Sequence, residues 1–363
     1  MNIGIVGVAG RGKSFKVACE TCENVKIQAI CDIKQSEMAE VNKFLHAEEQ
    51  YTDYNEMLEK ADIQAVILGT PMQFHAQQAI AALNKNIHVL CEVTAAVSVK
   101  ECKELVAAAK KSKATYMMAE NYCYTKEAKI LKQLSEKKLF GELYYAEGEY
   151  IHDCTYLADG KTPWRRHWQM GIEGITYCTH SLGPILQCMK KDRVVKVCCE
   201  APEQRRKDKK DKDFCRYSPV MLCKTEKGAL IKIRVDLTSK RPHNMTSYRL
   251  QGEKGAYENG QIWLEDLAEK PTWMDLKEVV KIDSYAKKYV SDEWQNPSDQ
   301  ARQAGHGGGD FFEFFDFINA VNNQKACSIG IHEAMDMTLP GLISQQSILR
   351  NGQWMDVPNS RDW

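Results

Sequence analysis

The sequence predicts two domains: an N-terminal α/β domain with a doubly wound parallel sheet, and a C-terminal α+β domain with a mostly antiparallel open sheet. The length of 363 residues exceeds that of a usual single domain. Strand-like and amphipathic helical segments alternate over residues 1–120, which is typical of parallel strands joined by helices. Over residues 121–363 strand-like segments follow one another with turns between them, which is typical of antiparallel sheets.

The N-terminal domain has five strand candidates, at residues 2–7, 26–31, 64–68, 87–91 and 114–118. Ligands of doubly wound sheets bind beyond the carboxyl ends of the strands. The residues at or just after these ends should therefore line one crevice. They are Gly7, Asp32, Thr70, Pro71, Glu92 and Glu120.

A glycine-rich turn joins the first strand to the first helix and contains Gly7, Ala9, Gly10 and Gly12. Glycines let the backbone approach a phosphate, and a helix N-terminus stabilises the phosphate charge. Two patterns fit this turn. One is the P-loop G-x-x-x-x-G-K-S, and the other is a dinucleotide fingerprint with Ala9 at the middle glycine.

Asp32 favours the dinucleotide interpretation, because it ends the second strand about twenty residues after the turn, where a carboxylate binds ribose hydroxyls. A P-loop enzyme needs an acidic magnesium ligand after a later strand, but residues 65–68 run into Gly69 and Thr70 without a carboxylate. Asp32 would repel a 2′-phosphate, so NAD is favoured over NADP, although Lys34 lies close enough to offset part of that repulsion. The sequence thus predicts an NAD-binding Rossmann domain.

The C-terminal domain begins with a largely helical connection at residues 121–138. Its strand candidates are 143–150, 194–200, 220–225, 230–237, 247–252 and 260–265, and its closing helices are 311–321 and 333–349, the second broken near Pro340. Residues 205–213 form a charged run that we interpret as a solvated loop, and residues 285–304 look like a polar surface excursion. An open sheet face is a surface through which a homo-oligomer can form.

The composition excludes several classes of partner. Lys+Arg and Asp+Glu both number 49, so net charge does not draw the protein to nucleic acid or an anionic membrane. The sequence shows no cleavable export segment and no run of eighteen apolar residues. We therefore expect a cytoplasmic protein with no membrane partner, in which the 14 cysteines are free and mostly buried. No histidine pair at i, i+4 occurs, so no metal is expected.

Several of these features together resemble the Gfo/Idh/MocA oxidoreductases: the glycine turn, Asp32, Thr70-Pro71-x-x-x-His75 and Cys91-Glu92. The resemblance implies an NAD(P) cofactor and a sugar or cyclitol substrate. It implies cofactor contacts from Gly7, Ala9, Gly10, Arg11, Gly12, Asp32, Thr70, Pro71, His75, Glu92 and Asn121. Two departures stand out. The usual Glu-Lys-Pro is Glu92-Val93-Thr94 here, and Thr176 replaces the usual aspartate four residues before His180.

A narrower resemblance fits these departures. The sequence is similar to the NAD-dependent glycosidases of glycoside hydrolase family 109 at Tyr122-Cys123-Tyr124, His152-Asp153, Trp164-Arg165, Tyr177-Cys178-Thr179-His180 and Gly305-His306-Gly307-Gly308. The resemblance implies that Glu92, Tyr124, Tyr177 and His180 surround the reacting sugar. Residues 154–163 and 201–216 contain stretches that match no motif of that family.

The residue chemistry suggests roles for these positions. His180 is the first candidate base, because histidine holds either protonation state near neutral pH. Tyr177 lies three residues earlier and would share its helix face, and Tyr124 follows the fifth strand. The predicted sugar contacts are His152, Asp153, Trp164, Arg165, Tyr177 and His306. Structural alternatives stay open: core tyrosines, a helix histidine with satisfied hydrogen bonds, a solvated ion-pair cluster and a plain glycine loop.

The sequence therefore predicts an NAD-dependent enzyme that acts on a sugar or glycoside. The favoured reaction is glycoside cleavage through transient oxidation at C3, as in an N-acetylgalactosaminidase-like enzyme. The alternative is a sugar or cyclitol dehydrogenase that uses His180 as its base. A third hypothesis is a catalytically silent sensor that binds NAD or a sugar.

Overall fold

The computed structural model describes residues 1–189, 192–206, 215–242, 245–267 and 270–363. They form two compact units. The first unit contains Met1–Thr125, Ser298–Met335 and Ser360–Trp363, and the second contains Lys126–Pro297 and Asp336–Asn359.

The strands are β1 (Asn2–Val6), β2 (Lys26–Cys31), β3 (Glu49–Tyr51), β4 (Ala65–Leu68), β5 (His88–Glu92), β6 (Tyr116–Ala119), β7 (Leu143–Ile151), β8 (Val194–Glu200), β9 (Arg205–Arg206), β10 (Cys215–Arg216), β11 (Val220–Thr225), β12 (Leu230–Asp236), β13 (Met245–Gly252), β14 (Gly255–Glu258), β15 (Gln261–Leu264), β16 (Met274–Asp275) and β17 (Met355–Asp356).

The α-helices are α1 (Lys16–Thr21), α2 (Gln35–Leu45), α3 (Tyr54–Lys60), α4 (His75–Asn84), α5 (Val99–Lys111), α6 (Lys126–Glu136), α7 (Thr155–Asp159), α8 (Arg165–Trp168), α9 (Thr179–Cys188), α10 (Leu276–Val279), α11 (Asp283–Tyr289), α12 (Asp292–Gln295), α13 (Asp299–Gln303), α14 (Gly309–Asn323) and α15 (Ile331–Ile348). Short 3-10 turns include Gly12–Phe15, Asn121–Tyr124 and His306–Gly308.

The first unit is built on a six-stranded sheet in the order β3-β2-β1-β4-β5-β6, with all neighbours parallel. The central strands are apolar and buried on both faces, as in a sheet covered by helices. The predicted doubly wound parallel sheet is confirmed. The sequence missed β3, because an edge strand of three polar residues has no hydrophobic pattern.

Helix α14 belongs to the first unit, although the sequence assigned the whole of residues 121–363 to the second domain. Its side chains Phe311, Phe314 and Phe317 are buried, and the helix packs against α1, β5 and β6. Burial of this apolar stripe explains why a late segment joins the first sheet. The division into cofactor and substrate domains at residue 120 stays a prediction.

The second unit contains a nine-stranded sheet in the order β16-β15-β14-β13-β7-β12-β11-β8-β17. Its pairs are antiparallel except β7 with β12, so the predicted mostly antiparallel sheet is confirmed. Helix α9 packs against β7 and β13. Gly148 permits this close packing, because a Cβ atom there would lie 2.2 Å from the backbone oxygen of Ser181.

Ion pairs cross several strands of the second sheet. Glu147 in β7 contacts Lys232 and Arg249, and Arg234 contacts Glu149. These side chains are partly exposed, so this sheet surface is polar. Association of two copies through the open sheet face stays a prediction.

Three further expectations concern individual segments. Pro340 lies inside the continuous helix α15, so the predicted break was wrong. The polar stretch at residues 285–304 contains short helices. The charged run at residues 205–213 falls largely outside the described residues.

No helix in the described ranges is both long enough and apolar enough to cross a membrane. The 13 cysteines other than Cys215 are free thiols, and most of them are buried.

Candidate functional site

The glycine turn of the first unit fits closely against the end of β4. Gly7 has a φ of +80°, and a Cβ atom there would lie 2.6 Å from the backbone oxygen of Gly69. A Cβ atom on Gly12 would lie 2.9 Å from the oxygen of Val6. A Cβ atom on Gly69 would lie 2.5 Å from the nitrogen of Gly12. The turn thus forms a compact cradle of the kind that accepts a dinucleotide pyrophosphate.

Gly69 was not among the predicted cofactor residues, although its packing is as tight as that of Gly12. Replacing Gly69 with alanine should lower the free energy of unfolding by about 1–3 kcal/mol, because the clash is with backbone atoms that cannot move aside. Gly10→Ala is the matched control. A Cβ at Gly10 meets only the oxygen of Gly7 at 3.6 Å, so its effect on the cofactor-free protein should be within about 0.5 kcal/mol. Urea unfolding without NAD measures both, and equal effects would contradict this interpretation.

Asp32 lies just beyond β2, with its carboxylate held by backbone donors. Its Oδ2 accepts a hydrogen bond from the nitrogen of Ala9 at 2.8 Å, and its Oδ1 accepts one from the nitrogen of Lys34 at 3.0 Å. The Lys34 ammonium, immediately before α2, lies 2.9 Å from Glu37 in that helix, which partly balances its charge. This pairing weakens the one feature near Asp32 that favoured a 2′-phosphate.

His75 lies at the start of α4 and is almost fully buried. Its Nδ1 lies 2.8 Å from the oxygen of Thr94, and its Nε2 lies 2.8 Å from the oxygen of Thr70. Burial lowers the pKa of His75. The side chain therefore holds the turn at Thr70 and Pro71 in place, and its contact with the cofactor stays a prediction.

Arg11 projects from the glycine turn into a cluster of carboxylates. Its Nε donates to Glu92 at 2.7 Å. Its Nη1 and Nη2 donate to the two oxygens of Asp310, at 2.6 and 2.7 Å. This bidentate pair joins residues 299 positions apart, so no local sequence pattern could have revealed Asp310.

Asp310 also joins two predicted site residues. Its Oδ1 lies 2.8 Å from His306 Nδ1 and accepts a hydrogen bond from Asn121 Nδ2 at 3.1 Å. Burial tends to raise the pKa of Asp310, but hydrogen bonds from His306 and Arg11 outweigh it and hold the pKa well below its ordinary range. The carboxylate therefore stays ionised.

The loop around His306 has an unusual backbone. His306, Gly307 and Gly308 have φ values of 53°, 63° and 95°, all in the left-handed region. Two glycines make this run feasible, and the remaining strain falls on His306. Because Nδ1 faces Asp310, Nε2 is the nitrogen that the partly exposed ring can offer to a ligand.

Two acidic residues of α14 were also missed, Glu313, which is buried, and Asp316, which is partly exposed. Glu313 is fully buried, its carboxyl oxygens accept no hydrogen bond from the described residues, and Arg11 Nη2 lies 3.9 Å away. Burial raises the pKa of Glu313 well above its ordinary range. Asp316 accepts a hydrogen bond of 2.5 Å from the Tyr124 hydroxyl, and Tyr124 is almost fully buried. This geometry favours the core-tyrosine alternative for Tyr124, whose catalytic role stays a prediction.

In the second unit, His180 lies in the first turn of α9 and is 4% exposed. Its Nε2 lies 3.2 Å from the Tyr177 hydroxyl, and the two rings meet edge to face. Tyr177 precedes α9, so the predicted shared helix face is wrong, although the two side chains do contact each other. Tyr150, which the sequence did not single out, places its ring 5.0 Å from His180 and its hydroxyl 2.9 Å from His152 Nδ1.

Three of the other predicted sugar contacts, Asp153, Trp164 and Arg165, form local contacts of their own in the second unit. Asp153 accepts hydrogen bonds from the nitrogen and hydroxyl of Thr155. The Arg165 guanidinium lies 4.6 Å from the centre of the Trp164 ring, and its Nη1 donates to Gln169 Oε1 at 2.6 Å. Arg165 therefore orients Gln169, a residue that no motif indicated.

Comparisons with known proteins agree with both halves of the sequence-based prediction. Residues 1–120 match the family described as oxidoreductase family, NAD-binding Rossmann fold. Residues 124–361 match the family described as glycosyl hydrolase 109, C-terminal domain. The predicted family resemblance and the NAD cofactor are confirmed.

Two relatives show how far the similarity extends. A glycosyl hydrolase family 109 protein of Saccharopolyspora erythraea is 25% identical over 390 residues, covering 99% of this chain and 83% of that protein. A glycosyl hydrolase family 109 protein 1 of Shewanella sp. (strain MR-4) is 27% identical over 391 residues, covering 99% and 84%.

Solved structures share the fold. A levoglucosan dehydrogenase in complex with NADH and levoglucosan has a TM-score of 0.82 at 19% identity, with 99% of each chain covered. An NAD-binding oxidoreductase from Klebsiella pneumoniae has a TM-score of 0.80 at 18% identity, also with 99% of each chain covered.

Proposed function

The chain belongs to glycosyl hydrolase family 109 and is an NAD-dependent enzyme, and from this premise we propose that it cleaves a glycoside through transient oxidation of the sugar at C3. The observation that carries the proposal is the contact of 3.2 Å between the Tyr177 hydroxyl and His180 Nε2. This pair supplies a base, and the segment Glu92-Val93-Thr94 contains no lysine that could do so.

The residues of the cradle would hold the cofactor: Gly7, Gly12 and Gly69 at the pyrophosphate, and Asp32 at the adenosine ribose. When bound, NAD would accept the hydride from C3 while the C3 hydroxyl proton passes to water, which leaves a ketone at C3, and it would return the hydride at the end of the cycle. The C2 proton beside that ketone is acidic. His180 Nε2 takes it, with the Tyr177 hydroxyl as hydrogen-bond partner, and the bond from C1 to the leaving oxygen breaks.

The leaving oxygen needs a proton, and His180, which has just taken the C2 proton, is the proposed donor. In the first unit, Asp310 lies 2.8 Å from His306 Nδ1 and fixes that ring, and the contact of His306 with the sugar stays a prediction. Addition of water to the unsaturated ketone and reduction at C3 then complete hydrolysis.

A net sugar or cyclitol dehydrogenase is the second candidate, favoured by the fold shared with levoglucosan dehydrogenase. Aryl glycosides incubated with the NAD-loaded enzyme separate the two. We expect steady phenol release without accumulation of NADH, because the hydride returns to the same sugar. NADH formed in proportion to product would show the dehydrogenase instead.

A sensor without catalysis predicts a third result. Turnover in heavy water should place deuterium at C2 of the product, because the proton on C2 is exchanged at the base. NAD-dependent stabilisation with no deuterium in any sugar tested, and with no NADH formed from any of them, would support the sensor and reject both enzymes.

A further inference from the structure

A cleft in the second unit is lined by Tyr177 and otherwise by residues that belong to none of the motifs above. It is lined by residues 169–177, by Ala201, Ser218 and Pro219, and by residues 235–238. Tyr177 forms part of its wall. The nitrogen of His152 donates to the oxygen of Asp236 at 2.9 Å, so the cleft is also tied to the strand end that carries His152.

Gln169 presents an unused donor in this cleft. Its side chain is 4% exposed, and its Nε2 donates to none of the described residues. Arg165 donates to its Oε1, which fixes the amide orientation and leaves Nε2 as the free end. A buried amide donor without a partner loses free energy unless a ligand or water accepts its hydrogen bond.

Asp236 presents an acceptor in the same cleft. It is 7% exposed, and its Oδ1 accepts from the nitrogen and hydroxyl of Thr238 at 3.0 and 3.2 Å. Within the described ranges, Oδ2 accepts no hydrogen bond. A ligand that both accepts from Gln169 and donates to Asp236 would satisfy both groups, and a sugar hydroxyl pair does so.

The charge of the lining restricts the ligand further. Asp236 is acidic, and the described lining residues include no lysine, arginine or histidine. A phosphate or carboxylate would be repelled there. We propose that this cleft is a subsite for a second, uncharged sugar unit of the substrate, next to the sugar that reacts. This inference rests on the proposed function as a sugar-active enzyme.

The test measures binding by calorimetry to NADH-loaded protein, in which oxidation of the sugar cannot begin. The probes are galactose with lactose, glucose with maltose, galactose 1-phosphate and N-acetylgalactosamine. We expect at least one disaccharide to bind ten or more times more tightly than its monosaccharide. We expect galactose 1-phosphate to bind no more tightly than galactose. Because no turnover is involved, this result is independent of the phenol-release assay.

Two substitutions that keep the shape of the side chain test whether this cleft causes the tighter binding of the disaccharide. Gln169→Glu replaces the free donor with an acceptor and Asp236→Asn removes the carboxylate, so each should abolish the disaccharide gain and leave monosaccharide affinity within twofold. Asp292→Asn, at an exposed aspartate of α12, is the matched control and should retain the gain. Thermal unfolding checks that each variant is folded.

The proposal is overturned if no disaccharide binds more tightly than its monosaccharide, or if the variants weaken the binding of monosaccharide and disaccharide equally. It is also overturned if galactose 1-phosphate binds more tightly than galactose. If N-acetylgalactosamine binds more tightly than galactose and the same two variants remove that difference, the cleft binds the N-acetyl group instead of a second sugar.

Discussion

Replacing His180 with asparagine should reduce kcat on an aryl glycoside by about 10²–10⁴-fold while NAD affinity stays unchanged. The imidazole is buried, and its Nε2 contacts the Tyr177 hydroxyl at 3.2 Å. Asparagine has a similar polarity but cannot accept and release a proton. Loss of the base should therefore slow deprotonation of the sugar without altering the glycine turn of the first unit.

Steady-state kinetics and NAD titration measure the two effects separately. His167→Asn is the matched control, because His167 is an exposed histidine of α8 in the same unit and should retain full activity. Tyr177→Phe should give a smaller loss than His180→Asn, because it removes the hydrogen-bond partner and keeps the imidazole. A His180→Asn variant within threefold of the unmodified enzyme would exclude His180 as the base.

Replacing Asp310 with asparagine should lower the free energy of unfolding by about 3–5 kcal/mol. The carboxylate is 3% exposed and accepts hydrogen bonds from Arg11, Asn121 and His306. An amide in its place offers one oxygen instead of two and turns an N–H group towards the guanidinium. Arg11, whose side chain is only partly exposed, would then keep its bond to Glu92 and lose one of its two bonds to position 310.

The pH dependence gives this prediction a second readout. Because the folded state holds the pKa of Asp310 below its ordinary value, the stabilisation is present above about pH 4 and is lost as the pH falls further. The Asn variant should lose less stability than the unmodified protein over that acidic range.

Asp299→Asn is the matched control, because Asp299 forms an exposed pair with Arg302 at 3.0 Å. Exposed pairs contribute about 0.2–1 kcal/mol, so that variant should change stability only slightly. Urea unfolding at pH 7 and at pH 3 measures both variants. Equal losses would mean that burial adds nothing to the Arg11–Asp310 pair.

Local patterns accounted for the glycine turn, the carboxylate at Asp32 and the two kinds of sheet. They did not reveal Gly69 or the short edge strand β3, since a single packed glycine and three polar residues carry no periodic signal. They also placed Tyr177 on the helix of His180, whereas the helix begins at Thr179. Local sequence places the end of a helix only to within one or two residues. Tyr177 and His180 therefore contact each other although Tyr177 lies before the helix.

Short residue patterns were enough to identify three chemical groups: a dinucleotide turn, a histidine with a tyrosine three residues before it, and a histidine among glycines. Long-range packing determines which other side chains complete these groups. Asp310 reaches Arg11 across 299 positions, and Tyr150 reaches His180 from a neighbouring strand. Such contacts depend on how buried surfaces pack, and burial brings together residues that no short-range pattern relates.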